Sequence, residues 1–181
     1  MEDAPKTRDY FTVRSVPHAG STWTFADAHN VLLVVFGVTE RSGRLVLIRQ
    51  FRPPFAADVL SAPMGCFADS DIETLASLAA TEAEAETGHQ VLRIAHLVDF
   101  ARSPGLTTER AKCFVACYAE NAGPQQLHAD ESIAVEYVAS ESIPTVVGRA
   151  AAAGELLDST VLLCGSWLFE HLTAIQKPRN A

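Results

Sequence analysis

The segment Glu82-Ala-Glu-Ala-Glu-Thr-Gly88 closes a stretch with helical spacing and puts carboxylates where a helix should be apolar. At about 100° per residue, Glu82 and Glu86 lie within about 40° of each other and within about 20° of the stripe carrying Leu75 and Ala79. Glu84 points almost the opposite way. A fold that buries this stripe has to place something cationic beside Glu82 and Glu86, because an uncompensated buried carboxylate is costly. Two hard oxygen ligands one turn apart suit Mg²⁺ or Mn²⁺. The same residues also read as a solvated acidic face with alanine as filler, and the segment alone does not choose between the two.

The rest of the chain fits one domain. Its 181 residues match a single core of ordinary size, and 48% of them are apolar, enough to fill it. The net charge of −8 speaks against a broad phosphate-backbone surface, so no nucleic-acid partner is expected. It also means that an anionic substrate needs a local cationic site or a metal. The longest apolar run, Val31 to Val38, is far short of a membrane span, and the acidic start Met-Glu-Asp-Ala-Pro-Lys lacks a signal-peptide core. Cys66, Cys113, Cys117 and Cys164 contain no CxxC pair, and Cys113 and Cys117 read as small core residues on one strand face. The expectation is a cytoplasmic, reduced protein without a membrane partner.

Periodicity predicts mixed α and β structure without repeats. Strands are expected at Tyr10 to Val16 and Thr22 to Phe25, about the turn His18-Ala19-Gly20, and at Asn30 to Val38 and Arg44 to Arg49, about Glu40-Arg41-Ser42-Gly43. Asp58 to Ala62 is a further strand, and Pro63 to Asp71 a loop. Ser70 and Glu73 have capping-box spacing, so a helix is expected to begin there and run to Thr87, stopped by Gly88. Glu73 then has a role as cap partner. Gln90 to Phe100, Arg110 to Tyr118 and Ala134 to Val138 read as strands, with the turn-rich Arg102 to Glu109 and the polar Asn121 to Glu131 as loops. Ile143 to Ala153 and Ser159 to Ile175 read as closing helices. The domain reading is N-terminal strands over 1–29, a main domain over 30–176 and a tail over 177–181.

Three segments in this order resemble the Nudix hydrolase superfamily, and within it the ADP-ribose pyrophosphatase branch. That family's box is a Gly, five residues, a Glu, seven residues, then Arg-Glu-apolar-any-Glu-Glu-any-Gly. Pro63-Met64-Gly65 resembles its entry, Glu73 its early Glu, and Glu82 to Gly88 its close. Val46-Leu-Ile-Arg-Gln-Phe-Arg-Pro53 and Ser103-Pro-Gly-Leu-Thr-Thr-Glu-Arg110 resemble two further segments of the branch. The resemblance covers Val31 to Leu168 and implies an α/β fold, a Nudix-type α/β/α sandwich with a mixed sheet. The chain departs from the pattern at Thr81, where the family has Arg, and at Ala85, where it has a metal-binding Glu. Two residues are inserted between Gly65 and Glu73, Phe67 takes an in-register Gly position, and His89 replaces an apolar residue.

What the resemblance implies is hydrolysis of the diphosphate of an ADP-ribose-like nucleoside diphosphate, with Mg²⁺ or Mn²⁺ as cofactor. Glu82 and Glu86 would hold the metal, Glu109 would assist, and Glu131 would activate water; Glu82, Glu86 and Glu131 are thus the catalytic candidates. The mobile base would sit on the Asn121 to Glu131 loop, although Glu131 also reads as a solvated loop acid. Arg49, Arg52, Gly65 and Glu109 are the substrate-binding candidates. Arginine pairs bidentately with phosphate oxygens; the alternative, a strand-end surface charge, fits one of the two arginines better than both. Cys66 is either a nucleophile or a small packing residue. The N-terminal strands are expected to build a homodimer, as in the branch. A rival expectation keeps the fold but uses the carboxylates as acid and base without metal, in an isomerase, cyclase or lyase of specialised metabolism. A third is a catalytically silent ligand-binding homologue.

Overall fold

The computed structural model describes residues 10–129, 131–139 and 143–163. β1 (Phe11–His18) and β2 (Ser21–Ala28) pair in a two-stranded antiparallel sheet, and Ala26 of β2 also bridges Thr107. The chain reverses between them at Ala19 and Gly20, both with positive φ. These strands are longer than their composition predicts, because cross-strand pairing continues to the turn on one side and to Ala28 on the other.

The main sheet starts from β3 (Val31–Thr39), in which all nine residues are buried. Strict alternation sorts them onto two faces. Leu32, Val34, Phe36 and Val38 pack with residues that include Ile143, Val146 and Val161. Val31, Leu33 and Val35 pack with Leu75, Ala79 and Ala83. The first set meets the helices α2 (Ile143–Ala153) and α3 (Ser159–Leu163), and the second meets α1 (Ile72–Thr87). A continuous apolar run is what a strand covered on both faces requires. The described residues are therefore mixed α/β around a mixed sheet.

The sheet forks at its centre. β3 and β4 (Arg44–Arg52) pair at Gly37–Val46 and Val38–Leu45 and then part. Beyond that point β3 takes β6 (Met64–Phe67) as its neighbour, while β4 takes β5 (Ala57–Ser61). The other edge of β3 runs parallel to β8 (Arg110–Ala122), which pairs with β7 (His89–Ala101). β9 (Ile133–Ala139) lies antiparallel to β4, and the two-residue β10 (Leu156–Leu157) runs parallel to β5. β6 lies inside the segment expected to be a loop. Its pairing with β3 is a long-range match that the short run Met-Gly-Cys-Phe does not announce.

One local expectation changes. α1 is capped by Asp71, whose side chain accepts hydrogen bonds from the Thr74 amide and hydroxyl, and not by a Ser70–Glu73 box. Those bonds hold the Asp71 carboxyl below its ordinary range. Its C-terminal stop is Gly88 with φ +73°, as expected, its amide donating to the Glu84 carbonyl. Of the expected helix Ser159 to Ile175, the part beyond Leu163 lies outside the described residues, as do Cys164, the tail and residues 1–9. Among the described residues no helix is long and apolar enough to cross a membrane.

Gly37 lies at the fork, where the Tyr118 ring covers the strand. A β-carbon on Gly37 would come within 1.9 Å of Tyr118 Cε2, and Tyr118 is fully buried, so the ring has nowhere to move. Gly37→Ala is expected to cost about 1–3 kcal/mol or more, the usual range for overpacking a core. Urea denaturation would check this; a loss below about 0.5 kcal/mol, the range of a surface change, would show that the ring moves freely.

Candidate active site

The fork opens a cavity of about 760 Å³. One wall is the Met64–Phe67 strand, another the end of β4 with Gln50 and Arg52, and the floor carries Glu82 and Glu86 of α1. The loop after β7 adds Arg102 and Glu109, the loop before β9 adds His128 and Glu131, and Asp158 enters from the start of α3. Tyr10 and Phe11 reach the cavity from the N-terminal hairpin. Helix spacing brings Glu82 and Glu86 to one side, as the sequence predicts. Glu84 faces away and accepts the Val91 amide at 2.7 Å.

Glu86 is the most constrained of these groups. It is 4% exposed, and its Oε2 accepts the Met64 amide at 2.9 Å. Burial is the main reason that its pKa is pushed up to about 8, and the charges of Glu82 and Glu131 add to the shift. The Met64 hydrogen bond and Arg52 oppose it. Beside it, Gly65 gives the Glu82 carboxylate room: a β-carbon there would lie 2.6 Å from Glu82 Oε1 and 2.8 Å from Phe67 Cε2. Gly65 thus has a steric reason for being glycine.

Glu131 is half-buried, and its loop holds it reciprocally. His128 donates its amide to Glu131 Oε2, and the Glu131 amide donates to the His128 carbonyl, both at 3.0 Å. Glu109 lies 3.9 Å from Arg102 Nε, and the Arg102 guanidinium also pairs with Asp158. Arg102, Asp158 and His128 are site residues that the sequence reading missed. Only Asp158 left a signal, an Asp-Ser-Thr cap at a helix start, where Thr160 donates its amide to Asp158 Oδ1 at 2.8 Å.

The two arginines of β4 part company. Residues three apart in a strand face opposite ways, so Arg52 lines the cavity while Arg49 leaves it. Arg49 Nε donates to Glu136 Oε1 at 2.5 Å and Nη2 lies 3.5 Å from Glu155 Oε2. The Glu136 hydrogen bond raises its pKa further. Thr81 is exposed and donates to the Ser77 carbonyl. The Ala85 carbonyl accepts the Gln126 amide, and Ala85 is not among the cavity-lining residues. His89, by contrast, is buried in a polar triangle with the Ala119 carbonyl and the Tyr137 hydroxyl, each at 2.8 Å. Cys66 is exposed to the cavity, yet partial desolvation, with Glu109 adding to it, raises its thiol pKa, which disfavours a thiolate nucleophile.

Five carboxylates, Glu82, Glu86, Glu109, Glu131 and Asp158, therefore share the cavity with two guanidiniums, Arg52 and Arg102. No family model matches the chain, and no curated protein matches it. What the site can do is carried by its own geometry. The donor set suits a hard divalent cation, since Mg²⁺ is usually held by one or two carboxylates completed by water and substrate phosphates. Among the described residues no three His, Cys, Asp or Glu side chains are grouped so that they could hold a metal ion by themselves.

The buried carboxyl makes metal-free stability depend on pH. Its folded pKa of about 8 lies above its ordinary 4.5. The folded state then holds the proton more tightly, so stability from this group is full below the ordinary pKa and is lost as pH rises through the folded one. In urea titrations with chelator present, wild-type stability should fall between these two values, and Glu86→Gln should flatten that fall. Parallel profiles for the two proteins would show that Glu86 titrates as an ordinary surface acid.

Proposed function

We propose that this cavity hydrolyses the diphosphate of an ADP-ribose-like nucleoside diphosphate, with Mg²⁺ or Mn²⁺. The observation that carries the reading is the convergence of Glu82, Glu86, Glu109 and Glu131 on one cavity from a helix and two separate loops. Those are the positions that the Nudix resemblance singles out, and helices on both faces of a mixed sheet agree with the α/β/α sandwich it implies. Glu82 and Glu86 would hold the metal, which when bound neutralises diphosphate charge and polarises its P–O bonds. A surplus of carboxylates over guanidiniums makes such a cation the natural partner of an anionic substrate.

The chain's own groups do the remainder. Arg52, at the end of β4, pairs with phosphate oxygens from the cavity wall. Arg102 is kept in place by Glu109 and Asp158 and orients the loop between them. Glu131 takes the proton of the attacking water. Its position on a loop lets substrate enter before the base closes on it. The exposed cross-strand pair Val16 and Trp23 forms the face through which a second copy of the chain associates.

A nucleoside diphosphate sugar panel with ADP-ribose, with and without Mg²⁺ and Mn²⁺, tests the activity. Metal-dependent release of nucleoside monophosphate is expected. Glu131→Gln should lower kcat by about 100-fold or more, the scale of general-base catalysis, and Glu82→Gln or Glu86→Gln should do the same. Equal turnover in chelator, or a mild loss in two of the three variants, would contradict the reading. Light scattering at micromolar protein should give a dimer, and Val16→Ser with Trp23→Ser a monomer; a monomeric wild type would reject the association.

A further inference from the structure

We propose that Gln125 is a positioning residue that registers the Glu131 loop on α1 and so fixes how far Glu131 stands from Glu86. The end of a helix leaves its last carbonyls without partners. In α1 the loop before β9 takes them up in turn. Gln126 donates its amide to the Ala85 carbonyl at 2.9 Å, and Gly123 donates to the Gly88 carbonyl at 2.7 Å. The close approach is steric as well, since a β-carbon on Gly88 would sit 2.3 Å from the Gly123 carbonyl oxygen. These are main-chain contacts that tie the loop to the helix alone.

Gln125 does something different. Its side-chain Nε2 donates to the Glu86 carbonyl at 2.5 Å and to the Ile133 carbonyl at 3.2 Å. One NH₂ group thus spans the residue that carries one site carboxylate and the residue two places beyond the other. Ile133 is the first residue of β9 and pairs with Gln50, itself on the cavity wall. This one amide therefore bridges the two ends of the loop that carries His128 and Glu131. A side chain with two donor hydrogens on a single nitrogen is needed; Met has the length and neither donor. Gln125 itself is not among the residues lining the cavity, so it acts through Glu131 and not on the substrate.

This inference rests on Glu131 working in the site as proposed, and the test separates the two. Gln125→Met should speed amide exchange across residues 127–133 by about tenfold or more, the combined weight of two neutral hydrogen bonds, while β3 and β8 keep wild-type exchange. With ADP-ribose and Mg²⁺, kcat should fall by about tenfold with KM within about threefold, as expected when positioning of a base and not ground-state binding is lost. In a Glu131→Gln background the same change should have no further effect on kcat. Unchanged exchange over 127–133, or additive losses in the double variant, would overturn the proposal. If wild type turns over nothing, the hydrolase reading fails and exchange alone decides: faster exchange confined to 127–133 upholds the anchor, and unchanged exchange removes it.

Discussion

The hydrogen bond from the Met64 amide to the Glu86 carboxylate is the contact on which the site depends. It joins the helix to β6, which pairs with β3 beyond the fork and forms one wall of the cavity. A carboxylate this deeply buried is expensive to ionise, and a single backbone amide does not offset that cost. The fold leaves the remainder to be met by a proton or by a cation arriving with a ligand. Glu82 sharpens the demand, because its carboxylate crowds the same corner against Gly65. A helix face that would otherwise bury Leu and Ala thus keeps two acids at the bottom of an open cavity.

Around that corner the charges have separate duties. Arg102 is a strut between Glu109 and Asp158, linking the loop after β7 to the start of α3. Arg49 is a strut on the opposite face, between β9 and the residue before β10. Arg52 is the guanidinium that β4 presents to the cavity. Exposed ion pairs contribute little to stability, but these half-buried ones tie separate elements together. His89 belongs with the struts: its two ring nitrogens connect β8 to β9 through Ala119 and Tyr137.

Much of this was legible in the order of residues. The buried run of β3, the stop at Gly88 and the shared face of Glu82 and Glu86 follow from period and capping alone, and α2 falls where expected. The four acids named from the resemblance, Glu82, Glu86, Glu109 and Glu131, line one cavity. What escaped is what only tertiary pairing creates. β6 is a strand because β3 lies beside it, and β10 because β5 does. Proximity in sequence groups Arg49 with Arg52, although strand alternation sends them to opposite faces. Arg102 and His128 are single polar residues in loops, with no local pattern to mark them. Gln125 acquires its role only when the end of α1 and the start of β9 are side by side.

The central claim is that this cavity directs water at phosphorus. It is tested most directly by incubating the protein with ADP-ribose and Mg²⁺ in ¹⁸O-enriched water and weighing the products by mass spectrometry. The account predicts cleavage between the two phosphates, with one solvent oxygen in one of the two phosphate products. Products with the diphosphate intact, or cleavage without solvent oxygen on phosphorus, would contradict it.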